Sequence, residues 1–191
     1  MDLVVVGTSW GGLRALGVLL SGVPASFDVP IVIAQHRGTS SMDGSLERYL
    51  AARCPLTVVE ADDKQAIVPG TVFLAPSDYH LLLEPGTIAL STEARVQFSR
   101  PSIDVLFESA ADAYGPGTVG VLLTGANADG AAGMAAIRAR GGWTIAQDPS
   151  EAEVPTMPAA AIAAGAVDDV LPLADIAPAL VELAERERSR T

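Results

Sequence analysis

The sequence predicts an α/β fold: a doubly wound, mostly parallel sheet with helices on both faces and an antiparallel hairpin near residues 80–91. Three observations predict it. Short Val/Ile/Leu-rich runs alternate with Ala-rich helical stretches along the 191 residues. The short runs are apolar throughout rather than at every second position, as strands covered on both faces are. Strand followed by helix, repeated, implies parallel strands joined by crossover helices.

The strand candidates are Leu3 to Val6, Ile31 to Ala34, Leu56 to Val59, Val72 to Leu74, Val119 to Leu123 and Trp143 to Ala146. Helical stretches fall at Leu13 to Leu20, Ser45 to Arg53, Ile103 to Ala113, Ala131 to Arg140, Ala159 to Ala164 and Ile176 to Arg188. One segment breaks the alternation: His80 to Glu84, then Pro85-Gly86, then Thr87 to Ser91 reads as a hairpin turning on Pro-Gly. With no internal repeat, low-complexity tract or long linker, residues 1–191 are expected to form a single domain. The tail Glu182 to Arg190 mixes both signs and reads as a solvated helix end.

Composition narrows the function. Twelve basic residues against 23 acidic give a net charge of −11. No basic patch is available to displace counterions from nucleic acid or to dock on an anionic membrane. The single cysteine, Cys54, allows no intrachain disulfide and no thiolate metal site. It stands before Pro55 with no histidine beside it, and reads as a small apolar filler at a helix end. The chain opens directly as a strand, without a basic segment or cleavage site, and its apolar runs are too short to span a bilayer. A cytoplasmic enzyme or binding module is the expected class.

In open parallel sheets, sites form beyond the carboxyl ends of the strands, so the loops after the strands carry the functional reading. The first is Gly7-Thr8-Ser9-Trp10-Gly11-Gly12. It parallels a Gly-x-Ser-x-Gly nucleophile elbow, with Ser9 at the apex and helix N-terminal amides, that of Trp10 among them, behind it to receive an oxyanion. A phosphate-binding loop and a plain tight turn are the competing readings. Against the first, strand two ends in Gln35-His36-Arg37 rather than in an acid for a ribose, the spacing misses Gly-x-Gly-x-x-Gly, and there is no Gly-Lys-Ser/Thr.

His36 is one of two histidines, and it lies where strand two should emerge beside strand one. It reads either as a structural histidine or as the general base for Ser9. The third loop is Leu123-Thr124-Gly125-Ala126-Asn127-Ala128-Asp129-Gly130. Asp129 can orient an imidazole as the third member of a triad, or cap the helix that starts at Ala131-Ala132. The amide near Ala126 is a candidate oxyanion donor.

Together these loops resemble the catalytic domain of the chemotaxis receptor methylesterases, the CheB family. The resemblance spans nearly the whole chain. It is carried by Gly7 to Gly12, Gln35-His36, and Leu123-Thr124-Gly125 through Asp129-Gly130-Ala131-Ala132-Gly133-Met134, with flanking matches at Pro69-Gly70, Ala75-Pro76, His80, Arg100 to Asp104 and Thr144 to Asp148. It implies a serine hydrolase with Ser9 as nucleophile, His36 as base and Asp129 as third member. The substrates it implies are glutamyl methyl esters, and also glutamines for deamidation, on cytoplasmic helices of chemoreceptors, with no metal or organic cofactor. Arg100, which could steer an acidic receptor, and Met157 are the expected substrate contacts. His80 reads as structural and Ser102 as a helix N-cap.

The sequence also departs from the family pattern. Family members usually carry an N-terminal receiver domain, whereas this chain starts at the first catalytic strand; a separate regulatory protein is therefore the expectation. Arg37-Gly38-Thr39-Ser40-Ser41 replaces a Met-Pro run after the histidine, and Trp10 stands where a small polar residue is common. Ala126-Asn127-Ala128 replaces a Met-Gly-Asn-type run, and Val154-Pro155-Thr156-Met157-Pro158 lacks an aromatic-Gly ahead of Met-Pro. Two other readings stay open: an esterase with a different ester substrate, and a non-catalytic binding module of the same fold.

Overall fold

The computed structural model describes residues 1–37 and 44–189. The departure at residues 38–41 lies outside the described residues. Seven parallel strands form one sheet in the order β3-β4-β2-β1-β7-β8-β9: β1 Leu3–Thr8, β2 Ile31–Gln35, β3 Thr57–Glu60, β4 Thr71–Leu74, β7 Thr118–Leu122, β8 Trp143–Gln147 and β9 Asp169–Leu171. β5 (His80–Glu84) and β6 (Thr87–Ser91) pair antiparallel as the separate hairpin expected at Pro85-Gly86.

The helices are α1 Gly12–Ser21, α2 Ser45–Ala51, α3 Ile103–Tyr114, α4 Ala131–Ala139, α5 Thr156–Ala163 and α6 Leu173–Arg188. They divide by face, and the alternation of β1 shows how. Val4 and Val6 pack into the core beneath α1, α2 and α6, with Leu16, Leu19, Leu50 and Leu180. Leu3 and Val5 point the other way, into a core shared with α3, α4, α5 and the hairpin, with Phe107, Met134, Ile137 and Ile88. All six residues of β1 are buried, which explains why its sequence reads as apolar without a period of two.

Two sequence expectations moved. β9 escaped notice because its three residues are partly exposed at the sheet edge and open on an aspartate. α5 begins at Thr156 rather than Ala159. Pro158 falls in its first turn, where the missing N–H would have had no helical partner, so it does not stop the helix.

α3 and α4 pack closely, and Gly133 is the reason. A β-carbon there would sit 2.4 Å from the Phe107 β-carbon, so only glycine admits this approach. The fully buried Phe107 ring fills the space beneath, a burial whose loss on truncation to alanine typically costs about 3–5 kcal/mol. This contact sets the N-termini of α3 and α4 against each other at the carboxyl edge of the sheet. There β1 lies between β2 and β7, so the loops leaving these three strands are neighbours.

Candidate active site

Ser9, His36 and Asp129 follow β1, β2 and β7, and the structure brings their side chains together. His36 Nδ1 lies 3.2 Å from Ser9 Oγ, and His36 Nε2 lies 2.8 Å from Asp129 Oδ2. The β1–β2 register sets the first pair: Thr8 aligns with Gln35, and His36 N–H donates to the Thr8 carbonyl at 3.0 Å. The imidazole presents Nδ1 to the serine and Nε2 to the aspartate, the reverse of the ring orientation in a chymotrypsin-type triad. The chemistry is unaffected. With Nε2–H donated to a carboxylate, Nδ1 carries the lone pair and can accept the Ser9 proton.

The Ser9 turn is tied down on both sides. Ser9 N–H donates to the Thr124 carbonyl at 3.0 Å, and Thr8 Oγ1 donates to that same oxygen at 3.0 Å. Thr124 Oγ1 in turn donates to the Trp10 carbonyl at 3.0 Å. Gln35 Nε2 donates to the carbonyls of Ser9 and His36, both at 2.9 Å, so one buried amide group locks the two backbones together. Gly12 makes room for this clamp: a β-carbon there would lie 2.2 Å from Gln35 Oε1 and 2.5 Å from Thr8 Oγ1. The glycines after Ser9 are therefore a packing requirement as well as a turn signal.

Asp129 is fully buried and accepts four hydrogen bonds. Its Oδ1 takes Ser102 Oγ at 3.0 Å and Asp104 N at 2.9 Å; its Oδ2 takes Ile103 N at 2.8 Å and His36 Nε2. It therefore caps a helix, but α3 across the site rather than the α4 that follows it, whose N-cap is Gly130. Burial works to raise the Asp129 carboxyl. The bond from His36, the amides of Asp104 and Ile103 and the His36 charge outweigh it, and the balance lies below the ordinary carboxylate value. An ionised Asp129 both fixes the His36 tautomer and offsets an imidazolium.

Asp104 returns the exchange. From the first turn of α3, its Oδ1 accepts Gly130 N and Gly133 N, both at 2.8 Å, at the start of α4. Its Oδ2 accepts Gln97 Nε2 at 2.9 Å. Burial and the neighbouring Asp129 charge push the Asp104 carboxyl up to about 6, against the opposing pull of those two amides.

An open cavity of about 450 Å³ lies over Ser9 and His36, walled by Trp10, Leu13, Arg14, Tyr49 and Glu153. Trp10 is 68% exposed at its mouth. Among the described residues, the Trp10 and Ala126 amides donate no hydrogen bond. A larger cavity of about 530 Å³ opens at the opposite end of the sheet, between Met1, Asp2, Pro116 and Arg188, away from these groups.

The two expected substrate contacts are both engaged within the fold. Met157 is a correction: it is fully buried, its N–H donates to the Gly125 carbonyl at 3.0 Å, and its thioether packs against Gly125, under the loop rather than at its surface. Arg100 is turned to a structural task. Its guanidinium pairs with Asp78 at 2.9 Å and donates to the carbonyls of Thr92 and Glu93 at 2.7 and 2.9 Å.

His80 is buried and structural: Ser102 N–H donates to its Nδ1 at 3.2 Å, and its Nε2–H donates to the Ala94 carbonyl at 3.1 Å. It thereby steadies Ser102, which caps α3 and touches Asp129. Cys54 is buried and its thiol is raised by that burial, as its reading as an apolar filler requires. Gln35, Thr124, Asp104 and Ser99, whose hydroxyl lies 3.4 Å from His36 Nδ1, were not expected as site residues. Only Asp104 carries a local signal, as an acid at a helix start that turns out to be too buried for simple dipole pairing.

Comparison with known proteins gives a consistent set of likenesses. A family model described as CheB methylesterase matches residues 4–180. A Leptospira interrogans protein, named provisionally as a protein-glutamate methylesterase/protein-glutamine glutaminase, is 46% identical over 183 residues, covering 95% of this chain and 94% of its own. The protein-glutamate methylesterase FrzG of Myxococcus xanthus is 41% identical over 181 residues, covering 94% of this chain and 54% of its own. The chain thus spans nearly all of the first relative and about half of the second. The crystal structure of the Thermotoga maritima CheB methylesterase catalytic domain superposes with a TM-score of 0.90 at 35% identity, covering 95% of this chain and 98% of that one.

Proposed function

Given that this chain belongs to the CheB methylesterase family, we propose that it is a serine hydrolase that removes methyl groups from glutamyl methyl esters on the cytoplasmic helices of chemoreceptors, and deamidates glutamines there. The observation that carries this reading is the hydrogen-bonded series Ser9–His36–Asp129, in which one imidazole is engaged at both nitrogens. The names of the relatives supply the substrate class.

In this mechanism Ser9 Oγ attacks the ester carbonyl while its proton passes to His36 Nδ1. The amides of Trp10 and Ala126 receive the oxyanion, and Asp129 offsets the imidazolium. His36 then protonates the departing methoxide, and methanol leaves. Water hydrolyses the resulting Ser9 ester, with His36 again as base, and glutamate is released. With a glutamine substrate the leaving group is ammonia.

The test is methanol release from a methylated receptor cytoplasmic fragment. Ser9→Ala is expected to lower turnover by on the order of 10⁵ to 10⁶, the scale seen when a triad serine is removed. Near-full activity in that variant would refute the assignment of the nucleophile. Turnover of a plain aryl ester without any receptor demethylation would instead assign the same site to another ester.

A further inference from the structure

Two hydroxyls face one lone pair. Ser9 Oγ lies 3.2 Å from His36 Nδ1, and Ser99 Oγ lies 3.4 Å from the same atom. Nε2–H is committed to Asp129, so Nδ1 is the ring's one acceptor and can take one proton at a time.

Ser99 is held there by a built turn. Val96 N–H donates to the Ser99 carbonyl at 3.2 Å, and Ser99 N–H donates to the Val96 carbonyl at 2.8 Å. The two residues between them, Gln97 and Phe98, have φ of 46° and 66°, a conformation that side chains other than glycine rarely adopt. Gln97 Nε2, bonded to Asp104 Oδ2, ties this turn to the first turn of α3. Strained backbone of this kind persists where its surroundings over-determine it, commonly beside functional groups. Here it delivers Ser99 to the base.

The first half-reaction has no use for a second hydroxyl, because Ser9 supplies the proton that Nδ1 accepts. The second half-reaction differs. Once Ser9 Oγ is esterified it carries no proton, and the next proton for Nδ1 must come from water. We propose that Ser99 is a positioning residue that holds this hydrolytic water against His36 Nδ1 while the acyl-enzyme breaks down. The inference rests on the reading of Ser9 as nucleophile. The water oxygen bonds to the acyl carbon and its proton passes to Nδ1. Collapse of the tetrahedral species breaks the bond between the acyl carbon and Ser9 Oγ, which recovers that proton. The product leaves as a carboxylic acid and ionises. Ser99 orients the water through its oxygen and keeps its own proton throughout.

The test uses 4-nitrophenyl acetate, with acid quenching and intact mass analysis during steady turnover. Ser99→Ala is expected to raise the ratio of acyl-enzyme to free enzyme about tenfold, a loss typical of a misplaced reactant. Acylation, read from the first nitrophenol released, is expected to stay within about threefold. Ser99→Thr, which keeps the hydroxyl, is expected to restore the native ratio. A general loosening of the turn would slow acylation as well. An unchanged ratio in Ser99→Ala overturns the inference, as does equal slowing of both steps or a ratio in Ser99→Thr as high as that in Ser99→Ala. Absence of acyl-enzyme in every form, together with unaltered turnover in Ser9→Ala, would overturn the reading of Ser9 as nucleophile, and the inference with it.

Discussion

Replacing Asp129 by asparagine tests the site most sharply, because the four bonds to its carboxylate cannot all survive. Oδ1 serves Ser102 Oγ and Asp104 N, and Oδ2 serves Ile103 N and His36 Nε2. An asparagine offers one oxygen and one NH₂. If the NH₂ replaces Oδ1, the Asp104 amide faces a donor, although Ser102 can rotate its hydroxyl to accept. If it replaces Oδ2, the Ile103 amide faces a donor, and His36 must turn Nε2 into an acceptor. Each orientation strands one buried backbone N–H, at a cost of about 1–3 kcal/mol. The stability loss is therefore about 2 kcal/mol whichever way the amide points. At this chain length that corresponds to about 4–8 °C in melting temperature.

Activity separates the two orientations. With the NH₂ toward His36, the ring proton moves to Nδ1, where it faces Ser9 and abolishes the base, and turnover falls by about 10⁴. With the NH₂ toward Asp104, the useful tautomer survives without a carboxylate to offset the imidazolium, and the loss is nearer 10². Calorimetry is best run near pH 5, where Asp104, titrating at about 6, is mostly protonated and gains nothing from losing its charged neighbour. Methanol release gives the second readout. Native melting temperature together with activity within tenfold of the native chain would refute this account of Asp129.

Other outcomes follow from the same contacts. The Asp104 carboxyl titrates at about 6 in the folded chain, above its ordinary 3.8. Its contribution to stability is thus fullest below about 3.8 and is lost as pH rises through about 6. Relative to Asp104→Asn, the native chain should lose on the order of 2 kcal/mol between about pH 4 and pH 7, read by urea unfolding, and parallel pH profiles would refute this. Gly12→Ala should push the Gln35 amide off the Ser9 carbonyl and reduce esterase activity by about tenfold or more, with a stability cost of about 1–3 kcal/mol from overpacking. Full activity in that variant would show that the Gln35 clamp is dispensable.

The fold was legible in the sequence because its determinants are local. Apolar runs such as Leu3 to Val6 and Ile31 to Ala34 carry their own signal for a strand covered on both faces, and Pro85-Gly86 carries its own for a hairpin. The meeting of Ser9, His36 and Asp129 was legible for a related reason. Ser9 and His36 stand just past the ends of β1 and β2, Asp129 lies in the loop between β7 and α4, and strand adjacency then brings the three loops together. What the sequence did not convey is polar pairing across long separations. Asp129 bonds the start of α3, 25 and 26 positions back, and Ser99 reaches His36 across 63 positions. No periodicity encodes such partners. Met157 shows the same limit in reverse: its position near the loop was evident, but its burial depends on the close approach of its side chain to Gly125, 32 positions back.

The exchange between Asp104 and Asp129 explains why the carboxylate that meets His36 sits on this loop. A carboxylate buried beside a histidine needs enough hydrogen bonds to remain ionised, and Ser9 and His36 leave only the imidazole proton for it. The open end of α3 supplies two amides and the Ser102 hydroxyl, and so turns a capping requirement into the electrostatic support of His36. That solution leaves the start of α4 without an acceptor of its own, because the residue nearest to it has been given away. Asp104 fills the gap from α3, and its burial there, with a second carboxylate beside it, is what lifts its own pKa. The strain therefore falls on Asp104, which has no bond to Ser9 or His36, while Asp129 keeps its charge. The Gly133–Phe107 contact that holds α3 and α4 together is accordingly part of the support for His36, although it lies in the core.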